Sequence, residues 1–161
     1  MNRIILLGCA GTGKSTLARA IGDRTGRPVI ILDDIWQPHW TEAEAPAFRE
    51  ILRTLHARDI WVSDGNFAAV SFDIRLPRAD MIIWLDRPRW FCAWRAATRV
   101  FSSGEPHRLQ DLPKVLAFIW DFERVNRPRI EAAIAVQGPS LPQVRLTSDQ
   151  EIARVLDTLP A

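Results

Sequence analysis

The chain has 161 residues, of which 47% are hydrophobic, enough for one domain with a sizeable core and too few for two. No apolar run approaches the roughly 18 residues needed to cross a bilayer, and no signal-peptide pattern precedes the first strand, so a cytoplasmic protein with no membrane partner is expected. A net charge of +2 gives no general nucleic-acid footprint, and two cysteines, Cys9 and Cys92, fit neither a zinc site nor a disulfide framework.

In chain order, the apolar run at 3–7 predicts a first strand and the pattern at 14–22 a helix after it. Between them lies Gly8-Cys9-Ala10-Gly11-Thr12-Gly13-Lys14-Ser15, a full G-x-x-x-x-G-K-S loop followed by Thr16. Its glycines let the backbone turn and aim N–H groups at phosphate oxygens, and the following helix adds its positive end. Lys14 supplies a mobile charge for the β- and γ-phosphates, and the Ser15 hydroxyl is a ligand for Mg²⁺. ATP with Mg²⁺ is therefore the expected cofactor. Gly8, Cys9, Ala10, Gly11, Thr12, Gly13, Lys14, Ser15 and Thr16 are its expected contacts, Cys9 through its backbone only.

Further strands are predicted at 28–32, 60–63, 80–85 and 143–147, and helices near 42–57, 88–101, 113–136 and 149–159. Short, almost wholly apolar strands alternating with helices imply a five-stranded parallel sheet with helices on both faces, an α/β three-layer architecture. Ligands of such sheets bind outside the carboxyl ends of the strands. There the sequence places Asp33-Asp34 after strand two, Ser63-Asp64-Gly65-Asn66 after strand three and Asp86 after strand four. Ser102–Arg108 is predicted as a loop between two helices, the basis for a lid segment near 101–128. Charge is unevenly spread, net −5 over 30–86 and net +5 over 87–129, so the later stretch is suited to face an anion.

With these features in place, the chain resembles the adenylate-kinase-like branch of P-loop proteins, and more closely the DNA topology modulation proteins. The motifs are Gly8–Thr16, Leu32-Asp33 with Trp36 and Trp40, Trp61–Asn66, Ala79–Asp86 with Pro88-Arg89-Trp90, and Asn126-Arg127-Pro128-Arg129. They extend over nearly the whole chain. The resemblance implies a nucleoside-monophosphate-kinase-like domain over 1–161 and a phosphotransferase activity. It also implies that Arg95 and Arg99, four apart on the helix after strand four, serve as the paired arginines that pack on the adenine and reach the phosphates. Arg108, Arg124 and Arg127 are lid candidates.

Two departures bear on the acceptor. Alanine stands at 68, where adenylate kinases carry an arginine for the acceptor phosphate, and the acceptor-side arginine after strand two is replaced by Asp33-Asp34. Paired carboxylates repel a phosphate and suit a hydroxyl. The expected acceptor is thus a small hydroxylated molecule met by Asp33, Asp34, Trp36, Gly65 and Asn66, with Asp33 on its hydroxyl and Asp64 on the metal's water shell. Arg49, Arg53 and Arg75 leave a nucleoside monophosphate open as the alternative, if they restore the missing grip. A nucleotide-binding regulator of DNA topology, and an ATPase using water, also stay open, although nucleic acid is not an expected partner.

Overall fold

The structure is a computed structural model that describes residues 1–37, 40, 44–103 and 106–159. Five parallel strands, β1 (Arg3–Gly8), β2 (Val29–Ile31), β3 (Trp61–Asp64), β4 (Met81–Leu85) and β5 (Gln143–Leu146), form one sheet in the order β2-β3-β1-β4-β5. The central strand shows why the sequence reads as an apolar run. Successive side chains of a strand point to opposite faces, and both faces are covered: Ile5 and Leu7 enter one core with Phe48, Trp61, Phe72 and Trp84, while Ile4 and Leu6 enter another with Leu17, Ile21 and Val62.

Helix α1 (Lys14–Thr25) and helix α8 (Asp149–Thr158) cover the second core. The first is covered by α3 (Ala45–His56), α4 (Ala68–Arg75), α5 (Arg89–Ser103), α6 (Pro106–Asp121) and α7 (Arg127–Gln137). Among the described residues, no helix is long and apolar enough to cross a membrane.

Three sequence expectations change. The predicted helix over 113–136 is two helices, α6 and α7, joined by a π-helical turn at Phe122–Asn126. Helix α4 and the 3-10 turn Leu76–Arg78 lie where no element was predicted; α4 is short and has no side-chain cap, so it lacks the usual start signal. Residues 42–43 of the expected 42–57 helix lie outside the described residues, as do Gly104 and Glu105 of the predicted loop. Ser102 belongs to α5, and His107 and Arg108 belong to α6, so the loop predicted across Ser102–Arg108 is largely helix; of the side chains at 107 and 108 nothing is described.

Candidate active site

The cradle hangs on the end of β1, between β3 and β4, where neighbouring connections leave in opposite directions. Gly8 has φ 140° and Gly11 φ 80°, values that side chains rarely allow. Space forbids a side chain as well. A Cβ on Gly8 would lie 2.3 Å from the Leu85 carbonyl oxygen, and one on Gly11 would lie 2.3 Å from the Cys92 carbonyl oxygen. The second contact docks the loop directly on the start of α5, the helix carrying Arg95 and Arg99.

Gly13 caps α1 without a side chain, so the helix's first N–H groups stay open to the cleft. The Lys14 ammonium donates to the Cys9 carbonyl at 2.9 Å, and the Thr12 hydroxyl donates to the same oxygen at 2.8 Å. Cys9 is buried, and its thiol meets that of Cys92, likewise buried. Only the backbone of Cys9 serves the cradle.

Register brings the next acid into place. Leu6 pairs with Asp64 across β1 and β3, which sets the Asp64 carboxylate beside the first turn of α1. The Ser15 hydroxyl donates to Asp64 Oδ2 at 2.5 Å. Asp64 Oδ1 is buried and has no partner among the described residues, an unsatisfied acceptor that a hydrated cation would complete.

Two cavities meet at Lys14 and Asp33. One, of about 340 Å³, is bounded by Gly11, Gly13, Ser15, Thr16, Arg95 and Arg99 besides these two and Ala10, which line both. Arg95 Nη1 lies 3.5 Å from where a Gly13 Cβ would stand, and its guanidinium lies 5.8 Å from the Phe91 ring centre. The other cavity, of about 680 Å³, runs between α4 and α7; Gly65, Asn66 and Phe67 form part of its wall. Protein crowding around the cleft disfavours the ionised Asp33 carboxyl and lifts its pKa above the ordinary value, with Lys14 pulling the other way.

The acidic pair does not act as a pair. Strand β2 stops at Ile31, and Asp33 and Asp34 sit in a single helical turn, α2 (Leu32–Ile35), instead of ending the strand. Successive residues of a helix diverge by about 100°, so Asp33 faces Lys14 while Asp34 lines a separate recess with Arg19 and Arg58. Asp34, expected at the acceptor, therefore stands apart from the cavities that meet at Lys14. Trp36, expected at the acceptor, packs edge-on against Phe48 and Trp40 and stands against Phe67, outside the lining of both cavities.

The wall that Trp36 backs is held by Phe67, His56 and Arg75, the last weighed in the sequence only as a phosphate grip. Phe67 is the one non-glycine among the described residues with positive φ, 33°. Arg75 is fully buried and donates to the Ser63 hydroxyl at 3.2 Å and to the carbonyls of Gly65 and Asn66 at 2.8 Å each. His56, also buried, donates from Nδ1 to the Leu52 carbonyl at 2.8 Å, which leaves Nε2 to accept from the Ser63 hydroxyl at 2.9 Å. Burial pushes the His56 imidazole down to about 4 and the Arg75 guanidinium down to about 9. A sequence signal existed only for Ser63, a polar residue inside an apolar strand.

The other arginines weighed as phosphate grips are committed elsewhere. Arg49 pairs with Asp73 at 2.5 Å, Arg53 with Glu50 at 2.9 Å and Arg124 with Asp121 at 3.1 Å. Arg127 bridges Asp86 and Glu123, so Asp86 serves as an anchor for α7.

The arrangement fits a nucleoside triphosphate with magnesium on three observations: a glycine turn too tight for side chains, an uncapped helix end, and a buried carboxylate oxygen left open beside Ser15. No family model and no curated protein matches the chain. Solved structures do match. A shikimate kinase from Acinetobacter baumannii, in complex with shikimate, aligns at TM-score 0.62 and 15% identity, over 98% of this chain and 92% of that one. A sugar kinase from a Janibacter species aligns at 0.60 and 18%, over 98% and 93%; a gluconokinase from Sinorhizobium meliloti aligns at 0.56 and 19%, over 97% and 87%. The chain therefore has the P-loop kinase fold, a five-stranded parallel sheet with helices on both faces.

Proposed function

We propose that this protein is an ATP- and magnesium-dependent kinase whose acceptor is a small hydroxylated molecule. The observation that carries the reading is the position of Asp33, a carboxylate facing Lys14 at the junction of the phosphate cavity and the larger one. Shikimate, sugar and gluconate kinases among the similar structures support an alcohol as the acceptor class.

When bound, ATP supplies the γ-phosphoryl group. The acceptor oxygen bonds to the γ-phosphorus, the bond to the β–γ bridging oxygen breaks with its electrons leaving on ADP, and Asp33 takes the hydroxyl proton. Backbone amides of 8–15 and Lys14 would hold the phosphates, Ser15 and Asp64 would hold the metal and its water, and Arg95 with Arg99 would offset the charge spread over the transferring group. The tryptophan-bearing motifs support a place beside the DNA topology modulation proteins.

ADP release in the presence of ATP·Mg²⁺, measured across alcohols, nucleosides, nucleotides and sugars against the water background, tests the reading. Stimulation by an unphosphorylated alcohol is expected. Stimulation by nucleoside monophosphates alone overturns it.

A further inference from the structure

The larger cavity is amphipathic. Phe67, Val70, Phe118 and Ile130 give it apolar surface, while Asn66, Asn126 and Arg129, which line it but not the phosphate cavity, bring N–H donors. Asn66 spends its Oδ1 and one Nδ2 hydrogen on the Gly8 backbone, and its second Nδ2 hydrogen is left over. Asp33, by contrast, is an acid at the junction of the two cavities. The two parts of the space therefore ask for different groups.

Helix α7 supplies the charged member of the donor set. Residues 126, 129, 130 and 133 recur at helical spacing and line the cavity as one stripe. Arg127 stands about 200° around the helix from Arg129 and turns instead to Asp86 and Glu123. Nearby arginines are likewise spent on acids, Arg124 on Asp121 and Arg145 on Glu131 and Asp86. Among the described residues Arg129 has no hydrogen bond, ion pair or ring contact from its side chain, and the Asn126 carboxamide has none either. A guanidinium is all donor, and a carboxylate answers its fork with two oxygens while cancelling its charge.

We infer that the acceptor is a hydroxy acid, its carboxylate held by Arg129 with Asn126 beside it and its hydroxyl presented to Asp33 at the junction with the phosphate cavity. The inference rests on the kinase reading and deepens it: Arg129 determines specificity and orientation. The reversed pose sets a carboxylate against Asp33 and leaves the guanidinium unanswered, so like charge rejects it. The apolar side chains of the same cavity receive the carbon skeleton.

The test compares glycerate, quinate and 3-phenyllactate, three hydroxy acids of different body, each with its own carboxamide, and adds glycerol and glycerol 3-phosphate as neutral and phosphate-bearing alcohols. ADP release from ATP·Mg²⁺ by the whole protein, above the water background, gives kcat and KM. At least one acid should exceed its carboxamide in kcat/KM by roughly 10- to 100-fold, the worth of a charge-assisted pair. Arg129→Gln should bring that ratio to about one, through KM and with kcat within about threefold, and Arg129→Lys, which keeps the charge without the fork, should fall between. Because the ratio is taken within one protein, loss of folding alone does not produce the change. Equal use of every acid and its carboxamide, preference for glycerol 3-phosphate, or an acid preference that survives Arg129→Gln overturns the inference, while turnover of any of these alcohols leaves the kinase reading standing. Turnover of none of them, or failure of ATP·Mg²⁺ to bind, removes both.

Discussion

Asn66 and Gly8 exchange two hydrogen bonds: the Gly8 amide donates to Asn66 Oδ1 at 3.2 Å, and Asn66 Nδ2 donates to the Gly8 carbonyl at 3.0 Å. One carboxamide thus ties the first glycine of the phosphate cradle to the loop that walls the acceptor cavity. The cradle and the loop lining the larger cavity are thereby linked through one side chain.

Replacing Asn66 by alanine leaves a backbone donor and acceptor of Gly8 unpaired, at a cost of about 1–3 kcal/mol. Denaturant unfolding should register that loss. Steady-state kinetics should show KM rising for ATP and acceptor together, because a single link positions both sites. A rise confined to one substrate would show that the link is dispensable.

Lys14→Ala should slow phosphoryl transfer by on the order of 10² or more, since it removes a charge placed on the transferring group. Among the described residues its ammonium hydrogen-bonds only the Cys9 carbonyl, itself also bonded to Thr12, so unfolding midpoints should stay near those of the wild type. Turnover within threefold of wild type would remove Lys14 from the catalytic set.

His56 gives the fold a pH signature. Its imidazole is held neutral, with a pKa of about 4 in the folded protein against about 6.5 in the unfolded chain. Between those values the unfolded state binds more protons, so the stabilisation is fully present above pH 6.5 and is lost as pH falls toward 4, to the extent of about 3 kcal/mol. Urea unfolding across that range should show the slope, and His56→Gln should flatten it. Protonation also costs Ser63 its acceptor on Nε2, so the Arg75 network under the acceptor loop loosens in the same window.

The parts legible in the sequence are those fixed by local rules. Doubly buried parallel strands leave apolar runs such as Met81–Leu85, and the cradle needs glycine where a Cβ would strike Leu85 or Cys92. Asp33 was legible as an acid near a strand end, but its separation from Asp34 depends on a single helical turn with no periodicity to detect. Arg75 reads as an ordinary helical arginine. Its burial follows from carbonyls at Gly65 and Asn66 that the bend after β3 leaves without strand partners, which is a tertiary fact.

Asp33 sets stability against chemistry. Crowding in the cleft raises its pKa, so between the unfolded value near 3.9 and the higher folded value the native state holds more protons. Stability therefore falls as pH rises through that window and stays lower above it. Asp33→Asn, which carries no charge, should be more stable than wild type at neutral pH and no more stable below the window, as thermal unfolding at the two pH values will show. The same substitution removes the group that takes the acceptor's proton, so turnover with an alcohol should drop by on the order of 10² while ATP affinity changes little, the phosphates being held by the glycine loop. Relief of like-charge repulsion should also let anionic ligands into the acceptor cavity more readily. Titration of nucleoside monophosphates against both proteins decides the acceptor: tight binding to wild type that weakens in Asp33→Asn would defeat the alcohol reading and assign the cavity to a nucleotide.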